Sequence, residues 1–447
     1  MDPSIDRLRR QDLLIFSAIA LLVIGVLMVQ SASMSVGTGS VSTGSVGSGS
    51  VSTGSVTTGS VGTGSGAWSL TTRGGKQAIF AALAVVALLI SSRLDYRVLL
   101  GKSSNPLRSP AVWAMAVAVI ACLLVLVPGI GKEVNGARRW IALGPIQVQP
   151  SELAKWGTVV YLAWFLIKRP IPIDKFWTGF MVMVAPVAIV LGLVAKEDFG
   201  TAALIACCTL AMLVVGGAKL SHLLLVVPPA LIAGGALVAG TPYRWRRMTS
   251  FLDPFADPKG EGYHMIQSLM SFASGGLSGT GLGQGVQKLG YLPEDTTDFI
   301  FAVVSEELGL AGAMLVTCLY LAFIVVAWRT LRSDRHDAAG KLLMFGGATM
   351  IVTQAIINIA VATVSVPTKG LSLPLISAGG TGLLITASAV GLLVSVIRTR
   401  PSPVVGESSG ERSRPEIKGP HRQPRAVSET DWNIWTKPTE PAKPKAA

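Results

Sequence analysis

Long apolar runs separated by short polar connections constrain this chain more than any other feature. Half of its 447 residues are hydrophobic and only 14% are charged, a balance far from that of a soluble enzyme. Runs of about 17 to 25 apolar residues can cross about 30 Å of hydrocarbon as helices. About ten such runs occur, at residues 13–30, 77–92, 111–130, 151–167, 176–195, 201–217, 220–240, 299–328, 342–364 and 379–397. The sequence predicts an all-α, polytopic integral membrane protein and excludes a soluble multidomain one.

Basic residues set the predicted orientation. Arg7, Arg9 and Arg10 precede the first run, and an excess of Lys and Arg marks cytoplasmic flanks. The first run has no small-residue cleavage site and more runs follow it, so we interpret it as an anchor and not as a removed signal peptide. Alternation then predicts that both termini are cytoplasmic. It also predicts a large extracytoplasmic loop, residues 241–298, between helices 7 and 8.

The predicted organisation has three parts: a cytoplasmic N-terminus (1–12), a membrane domain (13–398) and a cytoplasmic tail (399–447). The tail is rich in proline and mixed charge, which predicts disorder. Residues 35–66 repeat the pattern S-V-x-x-G, and a Gly/Ser/Thr/Val-rich segment of this kind predicts a flexible extracytoplasmic loop. We assign neither segment any chemistry.

The formal net charge of +13 is spread over the connections and the tail. No basic stripe with interleaved aromatic residues occurs, so the charge suits contact with anionic membrane lipid and not nucleic acid. The four cysteines fall inside predicted spans without metal-ligand spacing and are interpreted as packing residues.

Two arginine clusters lie on the predicted outer side, against the usual charge bias of membrane proteins. Arg138 and Arg139 lie in the connection between helices 3 and 4, and Arg246 and Arg247 lie near the start of the large loop. Two such clusters favour a polyanionic ligand such as a pyrophosphate over two coincidental membrane anchors. For the first pair taken alone, an anion site and an interfacial anchor are equally open.

Two lysines are further candidates. Lys155 lies one turn into helix 4, where a charge is costly and suggests function, although an i, i+3 ion pair with Glu152 explains it equally well. Lys369 lies in the last outer connection, whose prolines and glycines precede re-entry into the membrane. Irregular backbone at that depth must line a cavity or be buried in protein.

The large loop ends with Asp298 directly before an apolar run. A carboxylate at that boundary loses hydration, which raises its pKa towards the range of a general base. The alternative is that Asp298 only caps helix 8, with Glu306 and Glu307 lining a polar interior. Earlier in the loop, Asp253 and Asp257 fit either turn caps or ligands of a divalent ion held with phosphate.

Four motifs together resemble the SEDS family of bacterial shape, elongation, division and sporulation proteins, the FtsW and RodA group. They are NGARRWIALGPIQVQPSELAKW (135–156), EDFGTA (197–202), the stretch from FLDPFADP to EELG (251–309) and PTKGLSLPLISAGGTG (367–382). The PTKGL form is closer to the FtsW division branch than to RodA.

The resemblance implies a ten-helix peptidoglycan glycosyltransferase that polymerises lipid II on the outer face of the bacterial inner membrane, at the division septum. Expected partners are a class B penicillin-binding transpeptidase and other divisome proteins. The family's essential carboxylate falls on Asp298 and its accompanying acid on Glu294. The predicted contacts with substrate pyrophosphate, alone or with Mg²⁺ or Mn²⁺, are Arg138, Arg139, Lys155, Arg246, Arg247 and Lys369.

The chain departs from the family pattern at Thr296, where a histidine is usual, at Ala378, where a tyrosine is common, and at the turn 196–198. Two alternative functions stay open from the sequence: a lipid II flippase, which ten helices with intramembrane charges would also serve, and the RodA-type elongation polymerase. A non-catalytic scaffold is a third, and it predicts that substitution of Asp298 is harmless.

Overall fold

The computed structural model describes residues 3–34, 73–101, 103–134, 137–144, 146–260, 262–287, 292 and 294–399. These residues are mostly helical, so the predicted helical fold class is confirmed. The predicted repeat loop (35–66) and the predicted tail beyond Thr399 lie outside the described residues.

The helices follow the apolar runs. In chain order they are α1 (Pro3–Met34), α2 (Arg73–Arg93), α3 (Tyr96–Leu100), α4 (Pro110–Leu124), α5 (Pro150–Lys168), α6 (Met181–Glu197), α7 (Phe199–Val215), α8 (Leu220–Ala239), α9 (Pro242–Thr249), α10 (Tyr263–Gly275), α11 (Ile300–Leu331), α12 (Ala338–Ala362) and α13 (Gly380–Arg398). A π-helical turn, Phe176–Phe180, leads into α6.

Within the described residues, seven helices are long and apolar enough to cross a membrane, namely α1, α2, α6 with its π turn, α8, α11, α12 and α13. Two more, α4 and α7, are apolar but shorter. The remaining long helix, α5, carries Glu152 and Lys155 near its start. The protein is therefore a multi-pass membrane protein. The number of crossings stays a prediction.

The interior of the bundle is built around α5 and α12. Every side chain from Val159 to Leu166 of α5 is buried, as expected of an apolar helix enclosed on all sides. In contrast, only 11% of the membrane-length window of α8 is buried, and Leu224 and Leu231 are exposed on it. An apolar helix with so few protein contacts faces hydrocarbon.

Small residues bring some segments into direct backbone contact. A Cβ on Gly391 of α13 would lie 2.3 Å from the carbonyl oxygen of Leu88 in α2. A Cβ on Gly25 of α1 would lie 2.5 Å from the carbonyl oxygen of Ile376. Helices in membranes use small residues in this way, because close packing replaces the hydrophobic effect as the driving force.

Polar contacts outside the apolar helices gather at the two ends of the bundle. At one end, Asp337 accepts a hydrogen bond from the Tyr96 hydroxyl and lies 3.9 Å from the Arg97 guanidinium. At the same predicted side, Lys219 lies 3.6 Å from Asp174. The other end carries the segments predicted to be extracytoplasmic. This division agrees with the alternation of helix direction derived from the basic flanks.

A three-stranded antiparallel sheet connects α4 to α5, a feature absent from the all-α prediction. Its strands are β1 (Gly131–Val134), β2 (Ala137–Leu143) and β3 (Ile146–Val148), paired in chain order. The prediction missed it because short strands in a polar connection carry no membrane-length apolar signal, although β-branched and aromatic residues around a Gly-Pro turn do favour strands. Adjacent positions of β2 hold Arg138 and Arg139, and the pairing with β1 is irregular there, because Trp140 pairs with Lys132 and Arg138 with Glu133.

Candidate active site

Asp298 lies in a tight turn before α11. In this turn the carbonyl oxygen of Glu294 accepts hydrogen bonds from the amides of Thr297 and Phe299, at 3.1 and 3.2 Å. Phe299 occupies the N-cap of α11 and forms no side-chain cap bond. The alternative interpretation of Asp298 as the N-cap of this helix therefore does not match the structure, and its carboxylate is left for other contacts.

Asp298 is half-buried, and its electrostatic surroundings are mixed. Burial raises the pKa of its carboxyl group to about 7, and the negative charges of Glu294 and Asp198 act in the same direction. The guanidinium groups of Arg247 and Arg139 lower it. A pKa near 7 lets one carboxylate accept a proton at neutral pH, as expected from the sequence for a carboxylate at this boundary.

Arg139 faces Asp298 across a glycine. A Cβ on Gly370 would lie 3.4 Å from Oδ2 of Asp298 and 3.6 Å from Nη1 of Arg139. The missing side chain at position 370 therefore leaves a gap that a ligand oxygen could enter between carboxylate and guanidinium. The arginine itself is held because its Nε donates to the carbonyl oxygen of Glu197 at 2.9 Å.

Lys369 and Arg247 approach the same region from two other segments. Nε of Arg247 donates to the hydroxyl of Thr368 at 3.1 Å. Nζ of Lys369 lies 4.6 Å from the ring centroid of Phe199, a cation–π contact. Burial lowers the pKa of the Lys369 ammonium, as does the charge of Arg247, whereas Asp198 raises it.

Asp198 connects this lysine to α7. Its carboxylate caps the helix by accepting from the amide and the hydroxyl of Thr201, at 3.1 and 2.7 Å. A Cβ on Gly200 would lie 3.3 Å from Cβ of Lys369 and 3.5 Å from Oδ1 of Asp198. The lysine and the aspartate are therefore neighbours in the fold.

Arg138 lines a polar cleft beside the site. The cleft has a volume of about 200 Å³ and is bounded by Leu126, Glu133, Arg138, Lys196 and Glu197. The amide of Arg138 donates to Glu197 at 2.9 Å, and its Nε lies 3.5 Å from Glu133. The outer arginine pair thus forms part of an ordered polar surface.

The two remaining pyrophosphate candidates lie apart from these contacts. Nζ of Lys155 is 2.8 Å from Glu152 and donates to Gln354 at 2.8 Å, with its side chain only 2% exposed. The structure therefore forms the buried i, i+3 pair that the sequence left open as the alternative. Arg246 is exposed on α9. The pyrophosphate roles of both residues stay predictions.

Glu294 occupies a strained backbone position in the turn that carries Asp298. Its φ is +56°, a region that non-glycine residues rarely adopt. Its exposed side chain accepts a hydrogen bond from the Thr297 hydroxyl at 2.8 Å. Strain of this kind clusters at functional sites, and here it shapes the turn that carries Asp298.

The predicted divalent cation has no protein-only cage in the described part of the chain, where no three His, Cys, Asp or Glu side chains converge. Asp253 and Asp257 accept hydrogen bonds from the amides of Phe255 and Gly260, so they act as turn caps. The cation stays a prediction.

Two residues of this region were missed from the sequence. Asp198 is not among the candidates predicted from the sequence, although it is an acid at a predicted outer helix boundary, as Asp298 is. Asn358, in α12, donates from Nδ2 to the carbonyl oxygens of Asp298 and Leu371, at 2.8 and 2.7 Å. The position of this amide side chain within a predicted membrane span is a signal that could have identified it, since polar groups there are costly and are usually functional.

Fold and site together define a multi-pass membrane protein in which a carboxyl group of raised pKa lies near clustered cations. Residues 51–401 match the family model FtsW/RodA/SpoVE, described as cell cycle protein. A relative from Nitrosococcus halophilus, named probable peptidoglycan glycosyltransferase FtsW, is 44% identical over 293 residues, 64% of this chain and 75% of the relative. A relative of the same name from Geobacter metallireducens is 35% identical over 395 residues, 88% and 96% of the two chains.

Among solved structures, a chain from a peptidoglycan synthase complex that coordinates polymerization and crosslinking is similar, with a TM-score of 0.62 and 27% identity. The similarity covers 86% of this chain and 96% of that chain. The chain therefore belongs to the FtsW/RodA/SpoVE family. The predicted enzyme class, a peptidoglycan glycosyltransferase of the FtsW branch, is confirmed, and this branch is favoured over the flippase and the RodA-type alternatives.

Proposed function

We propose that this protein polymerises lipid II into glycan strands during cell division, with Asp298 as the general base. One observation carries the proposal: the Asp298 carboxyl group, its pKa raised to about 7 by burial, lies across Gly370 from the guanidinium of Arg139. A proton acceptor and a cationic group within reach of one ligand suit a transfer in which one oxygen loses a proton while another gains negative charge.

The proposed reaction uses this arrangement. The carboxylate of Asp298 takes the proton from the 4-hydroxyl of the acceptor sugar as that oxygen attacks the anomeric carbon of the donor chain. A new C–O bond forms with inversion, and the bond from that carbon to undecaprenyl pyrophosphate breaks. The pyrophosphate leaves with the bonding electron pair, so negative charge grows on its oxygens.

Cations near the leaving group stabilise this growing charge. Arg139, Arg247 and Lys369 approach Asp298 or its neighbours from three segments, and Arg138 lines the adjacent cleft. Stabilisation of charge that the bound donor does not yet carry lowers the barrier without binding the substrate more tightly. Glu294 supports the base indirectly, because its negative charge helps to raise the pKa of Asp298.

The proposed partner is a class B penicillin-binding transpeptidase, and the proposed location is the division septum of the bacterial inner membrane. The similarity to a chain of a peptidoglycan synthase complex supports a partner of this kind. Other divisome proteins belong to the same proposal, as does Mg²⁺ or Mn²⁺ shared with substrate phosphates, the usual manner in which Mg²⁺ binds.

Polymerisation of labelled lipid II by the purified protein, with its transpeptidase partner present, tests the proposal. Asp298→Asn keeps the size of the side chain and removes the base, and we expect its rate to fall by about 100-fold or more. Asp334→Asn, at an exposed position of the opposite end, is the matched control and should polymerise normally. Normal polymerisation by Asp298→Asn would contradict the proposed role. If neither the wild type nor the control polymerises, lipid II translocation in liposomes tests the flippase alternative.

A further inference from the structure

The helix that follows the catalytic turn is broken, and the break receives a loop. In α11, Gly309 has a non-helical backbone (φ 66°, ψ −163°). The carbonyl oxygens of Glu306 and Glu307 accept hydrogen bonds from amides of the glycine-rich loop, residues 276–287, at 2.9 and 3.0 Å. The amide of Leu310, which would bond to Glu306 in an unbroken helix, donates to a carbonyl of the same loop at 3.0 Å. The loop thus replaces the missing helical partners.

The side chains of the two glutamates hold the other half of this loop. Oε1 of Glu306 accepts from the amides of Val286 and Gln287, at 2.7 and 3.2 Å. Oε2 of Glu307 accepts from the amide of Gly283 at 3.1 Å. Both glutamates are 0% exposed, so these contacts lie in the protein interior. A carboxylate that accepts backbone amides there makes strong, charge-assisted hydrogen bonds.

Glycines allow the loop to come this close to α11. A Cβ on Gly275 would lie 2.0 Å from the carbonyl oxygen of Ser305, and a Cβ on Gly279 would lie 2.2 Å from that of Glu307. Gly279 also has a φ of +79°, which favours glycine. The glycine-rich composition of the loop therefore serves its attachment to the broken helix.

The attachment continues to the proposed base. Gln287, held by Glu306, accepts a hydrogen bond at its carbonyl oxygen from the amide of Leu292, at 2.8 Å. Leu292 is 2% exposed and packs in a cluster that includes Phe299, the residue after Asp298. A series of contacts thus connects the two glutamates to the turn that carries Asp298, through the loop 276–287 and the buried side chain of Leu292.

We propose that Glu306 and Glu307 are positioning residues for the glycosyl transfer: they clamp the loop 276–287 and through it fix the turn that carries Asp298. Neither residue touches the substrate in this proposal. The inference rests on the proposed function of Asp298 and extends it to a carboxylate pair in the interior of the bundle.

The test compares Glu306→Leu with Glu306→Gln in the full-length protein, with Ser305→Ala as the control. Ser305 is buried beside Glu306, but its hydroxyl bonds only within α11, to Phe301. Leucine removes the acceptor, and we expect kcat to fall by about 100-fold, the effect of a displacement near 1 Å. Glutamine keeps one oxygen for the two loop amides, so we expect its kcat to stay within about twofold of the wild type.

A pH profile separates positioning from general destabilisation. When the loop is released, water reaches Asp298 and its pKa falls from about 7, so the acid limb of the kcat/KM profile should move to lower pH in Glu306→Leu. The charged groups that face Asp298 are Glu294, Asp198, Arg247 and Arg139. None of these is changed in the variants, and loss of folded protein alone would lower the rate without moving the limb.

Two further measurements cover the other outcomes. Gly285→Ala would place a Cβ 3.1 Å from Oε2 of Glu306 and crowd this contact without changing a carboxylate, so a smaller limb shift in the same direction is expected even if Glu306→Leu does not fold. Hydrogen exchange of the purified protein in nanodiscs should show loss of amide protection at 283–287 in the leucine variant, and this result does not depend on activity.

Unchanged protection overturns the clamp, and lost protection with normal kinetics overturns the positioning role. Glutamine as damaging as leucine would show that charge, not hydrogen-bond acceptance, is required; an inactive wild type would count against the proposed function while the exchange result still decides the clamp.

Discussion

At the residue scale, the burial of Asp298 has two effects. It lowers the stability of the folded protein when the carboxyl group is ionised, and it gives that group a pKa suited to proton transfer. Burial raises its pKa from the ordinary 3.8 to about 7, so the folded protein binds this proton more tightly than the unfolded chain does. The stability that this proton contributes is complete below about pH 4 and is lost as the pH rises to about 7. A side chain that served stability alone would not be an ionisable carboxyl group in this buried position, because burial of a charge costs free energy.

We therefore expect Asp298→Asn to be more stable than the wild type above about pH 7, because asparagine carries no charge to desolvate. The difference should vanish towards about pH 4, where both side chains are neutral. Thermal unfolding of both proteins across this range checks the expectation, with Asp334→Asn as a control for removal of an exposed charge. A variant that unfolds earlier than the wild type at every pH would contradict it.

At the scale of elements, one amide in α12 joins two segments of the site. Asn358 donates hydrogen bonds to the carbonyl oxygens of Asp298 and Leu371, and so joins the turn that carries Asp298 to the loop that carries Lys369. Ser377 strengthens the same junction, since its hydroxyl donates to the carbonyl oxygen of Thr297 at 2.6 Å. The two loops therefore form one hydrogen-bonded platform with α12.

Asn358→Leu should loosen this platform. It leaves two carbonyl oxygens without their donor, at a cost of about 1–3 kcal/mol for each buried group, and we expect lipid II polymerisation to fall by at least about tenfold. Thr317→Ala, which removes a bond from a side chain to its own helix, is the matched control. Equal polymerisation rates for the two variants, measured at equal amounts of folded protein, would show that the junction does not matter.

The elements also show which features of the fold and the site can be predicted from sequence patterns. Long apolar runs predicted the helices, because a continuous apolar stretch of membrane length is typical of a helix that crosses a bilayer. The prediction that Asp298 has a raised pKa needed only its place between a polar loop and an apolar run. The proximity of Asp198 to Lys369 and the junction at Asn358 involve distant parts of the chain. Spacing along one sequence carries no information about such contacts.

At the scale of the whole molecule, the predicted orientation places every proposed catalytic group on one face. Basic flanks and alternation put the sheet and the 241–298 loop outside. The contacts of Asp337 with Tyr96 and Arg97 gather predicted cytoplasmic segments at the opposite end. A transferase that uses a lipid-linked donor on the outer face requires this arrangement.

Single-cysteine labelling of intact cells tests the orientation. The parent for this experiment has the four native cysteines replaced, at Cys122, Cys207, Cys208 and Cys318. New cysteines at the exposed positions Lys132 and Lys196 should react with a membrane-impermeant thiol reagent, because the outer connections face the reagent. Cysteines at Asn105 and Asp334, equally exposed at the other end, should react only after the cells are permeabilised. Labelling of the second pair in intact cells, with the first pair protected, would indicate the opposite topology. Asp298 would then lie on the cytoplasmic side, where the proposed polymerisation on the outer face could not occur.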